Sequence, residues 1–177
     1  ILAPDELLAK DLLFYDDIDA VYRLTRSMIE AGHCAIAFAG KPEPWYRRRY
    51  EGYARALREA GLAEVTARDA WTLSGIEYGR RAAARLLQLP DRPTAIVAGN
   101  DEIAAGVWNE LVNRGIPIPG EISLAGFGDR EEFSVLEPPL TTVAICPERI
   151  GTELSRMLLN KLSNPGLRVP SRSLECE

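Results

Sequence analysis

Three short runs along the chain are apolar almost without interruption: 35–39 (AIAFA), 94–98 (TAIVA) and 122–125 (ISLA). Continuous apolar character over so few positions is the pattern of a strand covered on both faces. The stretches between them are polar with an apolar stripe at helical spacing. Val21, Leu24 and Met28 fall on one face of a first helix, and Tyr50, Tyr53, Ala54 and Leu57 on one face of a second. After a weak strand, Ser74 with Glu77 three residues on reads as a capping box. It opens a third helix whose inward face is Gly79, Ala83 and Leu86. Ile103, Val107 and Leu111 stripe a fourth helix that stops at Gly115, where a C′ glycine belongs. Pro147 stands where a first helical residue would, and Ile150, Leu154, Met157 and Leu158 stripe the last helix.

Alternation of strand and helix predicts an α/β fold, a parallel sheet flanked by helices on both faces. In such sheets ligands bind beyond the carboxyl ends of the strands. Three stretches meet that rule: 40–49, 99–101 and 126–130. The ends fit less well. Residues 1–15 mix apolar and acidic positions with no clean strand, and the chain stops at Leu174-Glu-Cys-Glu in mid-pattern, which predicts a fragment with sheet edges missing.

Composition narrows the function classes. Of 177 residues, 21 are basic and 26 acidic, for a net charge of −5, so the chain does not present the basic face that nucleic acid requires. The apolar runs fall far short of the ~18 residues that cross a bilayer, and no secretory segment opens the chain. No membrane partner is expected. Cys34, Cys146 and Cys176 have neither CxxC spacing nor an even count, which argues for a reducing compartment rather than a disulfide scaffold or zinc ribbon. With His33 the only histidine, no metal or cofactor is expected.

Each candidate residue has a plain structural reading beside its functional one. Asn100-Asp101 follows a buried strand and starts a helix; an Asx side chain there either caps the first turn or faces the cleft. Arg47, Arg48 and Arg49 lie among Trp45, Tyr46 and Tyr50. A solvated helix face accounts for Arg47 and Arg48. Arg49, ~200° around a helix from Arg47, carries a planar fork suited to two hydroxyls or a carboxylate. Trp71 is either a stacking platform for a sugar ring or a half-buried plug. His33, just past a helix end, reads as structural. GxGxxG, the phosphate loop and GxSxG are all absent, and no nucleophile stands beside a base, so the chain reads as a binder rather than an enzyme.

Taken together, these residues resemble a known family. The segments 93–106 (PTAIVAGNDEIAAG), 116–127 (IPIPGEISLAGF) and 138–142 (PPLTT) are similar to consecutive parts of LacI/GalR-type transcriptional repressors. Asp16-Asp17, Gly32-His33, 35–38 (AIAF) and 49–53 (RYEGY) follow the family's order and spacing, and the resemblance covers 14 to about 160. It implies a two-lobed, periplasmic-binding-protein-like (type I) core. Residues 17–145 would be the second lobe and 1–16 with 146–177 remnants of the first, with the DNA-binding helix-turn-helix missing.

The resemblance implies that Arg49, Asn100, Trp45 and Asp129 contact a small, sugar-like effector, with Trp71 substituting for a stacking aromatic often found at position 70. Gly128 departs from the family, where aspartate is frequent, and the expectation is that an aspartate restored there strengthens binding of simple sugars. Val135 and Leu136 match a segment that packs across the family's dimer axis, implying a homodimer. The implied function is the effector-sensing, dimerising core of a cytoplasmic repressor, which meets operator DNA through the missing N-terminal domain and switches it by lobe closure. The alternative is a periplasmic sugar-binding receptor of an ABC importer.

Overall fold

The computed structural model describes residues 13–40, 44–67, 74–166 and 172–177. The elements in chain order are β1 (Leu13–Tyr15), α1 (Asp17–Glu30), β2 (Ile36–Ala39), α2 (Pro44–Glu59), β3 (Val65–Ala67), α3 (Gly75–Leu86) and β4 (Ala95–Ala98). They continue with α4 (Asp101–Asn113), β5 (Ser123–Gly128), a 3₁₀ turn (Glu131–Phe133), β6 (Thr141–Ala144), α5 (Pro147–Ser163) and β7 (Arg172–Leu174). A five-stranded, wholly parallel sheet runs β3-β2-β4-β5-β6, and a separate two-stranded parallel sheet pairs β1 with β7.

The unbroken apolar runs have the predicted cause. Every residue of β2 and β4 is buried, because helices cover the sheet on both sides. Alternate residues serve opposite cores. Ala37, Ala39, Ile96 and Ala98 pack with α3 and α4, while Ile36, Phe38, Ala95 and Val97 pack with α1 and α2. Within each pair the helices meet at glycine. A Cβ on Gly52 would fall 2.2 Å from the Ile18 carbonyl oxygen, and one on Gly79 would fall 2.1 Å from that of Ile103. Two buried tyrosines tie the sheet edge: Tyr53 OH lies 2.8 Å from Ile36 O and accepts from Val65 N–H at 2.9 Å. Tyr78 OH sits 2.7 Å from Gly40 O and 3.0 Å from Ala67 O, at the carboxyl ends of β2 and β3.

The helix starts follow the sequence signals. Asp16, Ser74 and Asn100 each accept a backbone N–H from the first turn of α1, α3 and α4. His33 is structural, its Nδ1 2.9 Å from Thr94 Oγ1. The sequence reading missed three strands. β1 and β7 are three residues each, too short to show a period, and β6 (TTVA) is an edge strand with one buried residue. Of the apolar stripe on α5 only Met157 is buried; Leu154 and Leu158 are exposed.

Three crossings link the two sheets: β1 into α1, β6 into α5, and β7 into the last residues. They are held together at this level. Asp16 N–H donates to Leu174 O at 2.9 Å, and Arg23 Nη2 donates to Cys176 O at 2.8 Å. Glu177 exchanges both backbone hydrogen bonds with Ala144 on the open side of β6. Cys176 joins the core under α1 and α2, so the last residues lie with the larger sheet.

Candidate functional site

The carboxyl ends of β2, β4 and β5 bring one arginine to the middle of the fold. Arg49 lies in the first half of α2, which enters from the end of β2. Its Nη1 donates to Gly99 O, just past β4, at 2.6 Å. Its guanidinium carbon sits 3.8 Å from the centre of the Phe127 ring on β5 and 5.8 Å from that of Tyr46. The side chain keeps only 16% of its surface exposed, and its Nε is buried with no hydrogen-bond partner. Asp17 Oδ2 lies 3.6 Å from that nitrogen, an ion-pair distance too long for a hydrogen bond. Burial pulls the Arg49 pKa below the ordinary arginine value, although Asp17 and Asp101 oppose the shift.

Asp17, itself buried at the start of α1, is bound by a different residue. Arg48 Nε donates to its Oδ1 at 2.9 Å, and the Arg48 guanidinium lies 5.3 Å from the Phe14 ring centre. The sequence reading of Arg48 as part of a solvated face is therefore wrong. Only Arg47 of the triplet is exposed, because α1 packs against α2 and presents a carboxylate that nothing local in the sequence announces.

Asn100 and Asp101 divide their work. Asn100 Oδ1 accepts from Ile103 N–H at 2.9 Å and caps α4, so any contact with a ligand falls to its Nδ2. Asp101, 1% exposed, accepts from the Thr142 hydroxyl at 2.5 Å and from Arg130 N–H at 2.9 Å. It joins α4, the loop leaving β5, and β6. Sequence reasoning missed this latch, since an acid in a helix's first turn already has a reason to be there.

Asp129 stands exposed at the end of β5 with φ +52°, its N–H 3.4 Å from Thr142 Oγ1. Gly128 before it has φ +136°, and a Cβ there would come 3.1 Å from Asp101 Oδ2. This corrects the expectation for Gly128: an aspartate would be strained by the backbone and pushed against an existing carboxylate. Val135 is 81% exposed and Leu136 half-buried, beyond the 3₁₀ turn. Trp71 and the side chain of Trp45, which is in the first turn of α2, lie outside the described residues. Among the described residues no cluster of histidine, cysteine and acidic groups could hold a metal ion, and no helix is long and apolar enough to cross a membrane.

Residues 25–177 match the periplasmic binding protein-like domain family. The chain belongs to that family, in its LacI-type regulator branch. It is 31% identical over 167 residues to the HTH-type transcriptional repressor CytR of Escherichia coli (strain K12), covering 92% of this chain and 48% of the relative. It is also 31% identical over 159 residues to the transcriptional repressor PurR of Haemophilus influenzae (strain PittEE), covering 87% of this chain and 46% of the relative. The crystal structure of the Escherichia coli transcriptional repressor ascG superposes with a TM-score of 0.76 at 27% identity, over 93% of this chain and 60% of that one. The chain thus spans about half the length of the curated relatives it matches. For a LacI-type domain, the parallel sheet with helices on both faces is the expected frame.

Proposed function

We propose that this chain is the effector-binding and dimerising core of a LacI-type, DNA-binding transcriptional regulator that acts in the cytoplasm and performs no catalysis. The observation that carries the reading is Arg49. A buried guanidinium, stacked on Phe127 beyond the carboxyl ends of the strands and short of acceptors, is a recognition group for a small polar ligand. Asn100 Nδ2, Asp129, Trp45 and Trp71 complete the effector contacts. That the relatives are repressors supports a regulator over a transport receptor.

In this reading residues 17–145 form the second lobe. Residues 1–16 and 146–177 belong to the first, apart from the last two, which return to the larger sheet. The three crossings act as the hinge. Effector binding changes the angle between lobes and hence the placement of DNA-binding heads outside this chain, by as much as its affinities for the two arrangements differ.

Two variants test the site in the full-length protein, using a sugar-like ligand found by thermal shift and measured by calorimetry. Arg49→Ala is expected to weaken binding at least tenfold. Asn100→Asp is the better second probe than alanine, because it keeps the cap acceptor, whose loss costs about 1 kcal/mol, while removing the Nδ2 donors. It is expected to weaken binding several-fold with little change in stability. Unchanged affinity in both would remove the site assignment.

Dimerisation through Val135 and Leu136 has its own check. Val135 is 81% exposed and Leu136 beside it half-buried, so both are open to the symmetric partner contact that the family resemblance implies. Val135→Asp is expected to raise the dimer dissociation constant at least tenfold in sedimentation experiments; an unaltered dimer would place the interface elsewhere.

A further inference from the structure

Two guanidinium groups meet one carboxylate at the start of α1. Asp17 Oδ1 accepts from Arg48 Nε at 2.9 Å, while Asp17 Oδ2 stands 3.6 Å from Arg49 Nε. The two arginines are consecutive on α2, so a carboxylate drawn to one is held back from the other. Arg48 has a second brace, its guanidinium lying 5.3 Å from the centre of the Phe14 ring on β1. An exposed acid, Glu51, stands three residues further on in the same helix, the spacing of an ordinary solvated pair. Arg48 reaches instead across to an acid on another helix that keeps only 9% of its side-chain surface exposed.

How Asp17 is shared decides where Arg49 sits. Burial lowers the Arg49 pKa, and Asp17 is the strongest of the charges that oppose the shift. A buried guanidinium this near a carboxylate lowers its energy by closing on it, two nitrogens against two oxygens. Closure takes the separation from 3.6 Å to the ~2.8 Å of a charge-assisted bond. It also shifts the guanidinium with respect to Gly99 O, which Nη1 now meets at 2.6 Å, and to the Phe127 ring at 3.8 Å. By occupying Asp17 Oδ1, Arg48 prevents that closure.

Resting on the reading of this cleft as the effector site, we infer that Arg48 is its positioning residue. By holding Asp17 it keeps Arg49 in an open arrangement, seated on Gly99 O and Phe127 and not closed on the acid. Arg48 acts through Asp17 and Arg49, without touching the effector itself.

The test compares the full-length parent with Arg48→Ala, Arg48→Lys and the double variant Arg48→Ala/Asp17→Asn. Nuclear magnetic resonance of arginine-labelled protein follows the Arg49 Nε–H with no effector present. In Arg48→Ala this proton should move downfield and exchange more slowly with water, because it gains Asp17 as an acceptor. In Arg48→Lys, which still offers Asp17 a cationic donor, it should stay near its parent position. Calorimetry with D-ribose then reads the consequence. Arg48→Ala should weaken ribose binding roughly tenfold, since a shift approaching 1 Å in a contacting group is felt on that scale or above. The double variant removes the acid that captures Arg49 and leaves Asp101 to balance its charge, so it should recover most of the lost affinity. An ion pair kept only for stability predicts the reverse, a double variant no better than the single one. An Arg49 Nε–H unmoved in Arg48→Ala, or no recovery in the double variant, would overturn the inference and leave the effector site standing. A shifted Nε–H with ribose affinity unchanged would support the hold on Arg49 and overturn the reading of Arg49 as an effector contact. Should the parent itself fail to bind ribose, the sugar-like reading falls, and the Nε–H still decides whether Arg48 sets Arg49.

Discussion

Gly106→Val is expected to destabilise the domain by more than about 4 kcal/mol, enough to leave much of it unfolded at ordinary temperature. A Cβ at 106 would lie 2.1 Å from Ile76 O and 3.0 Å from Arg80 N, and the matching Gly79 approaches Ile103 O and Val107 N as closely. These neighbours are backbone atoms of a facing helix and cannot swing aside as a flexible side chain would. To admit even a methyl group, α3 and α4 must part. They share the buried Tyr78, Ala82, Leu86, Ile103, Val107 and Leu111, so parting opens a close-packed core. The effect also reaches the cleft, because α4 carries Asn100 and Asp101 at its start.

The sign of the change identifies the cause. In an exposed helix interior, glycine to alanine stabilises by up to ~1 kcal/mol. Gly151 on α5, with open space around its missing Cβ, is the matched control and should behave that way. Urea unfolding followed by circular dichroism separates the two. A Gly106→Ala protein as stable as the parent would show that the helices are not held at backbone contact.

How much of this was legible follows from where each signal originates. β2, β4 and β5 could be read because burial on both faces writes an unbroken apolar run into the sequence. β6 could not. It is the last strand of the sheet, its outer edge met at Ala144 by Glu177, and its two threonines resemble a loop. Arg49 was legible because its position, the first half of a helix leaving a strand's carboxyl end, is local information. Its neighbours were not. Arg48 meets Asp17 across 31 residues, and Asp101 meets Thr142 across 41. Such contacts are set by helix-on-helix and strand-on-strand packing and leave no periodicity behind. Gly128 misled for a related reason: the residue type suggested a lost carboxylate, while the backbone at φ +136° requires a glycine whatever the ligand.

Asp101→Ala is expected to cost about 2–4 kcal/mol, the range for removing a buried charged acceptor and orphaning its donors. The carboxylate is 1% exposed and receives two charge-assisted hydrogen bonds, from Thr142 Oγ1 at 2.5 Å and Arg130 N at 2.9 Å. It also lies in the first turn of α4, where negative charge is favoured. Truncation leaves a hydroxyl and a backbone N–H without an acceptor and removes a charge that favours the cationic form of Arg49. Thr142→Val removes one hydrogen bond and should cost about 1 kcal/mol. In the double variant the two losses should not add, with a coupling of 0.5 kcal/mol or more, roughly the threshold for residues in direct contact. Because Asp101 fixes the start of α4 relative to the loop carrying Gly128, Asp129 and Arg130, its loss should loosen the cleft before the sheet. Ligand affinity is then expected to fall by more than the change in stability predicts, while far-ultraviolet dichroism at low temperature stays that of the parent. Urea titration of the three variants decides the matter. An Asp101→Ala protein within 0.5 kcal/mol of the parent, or strictly additive losses, would mean that the latch is no more than a cap.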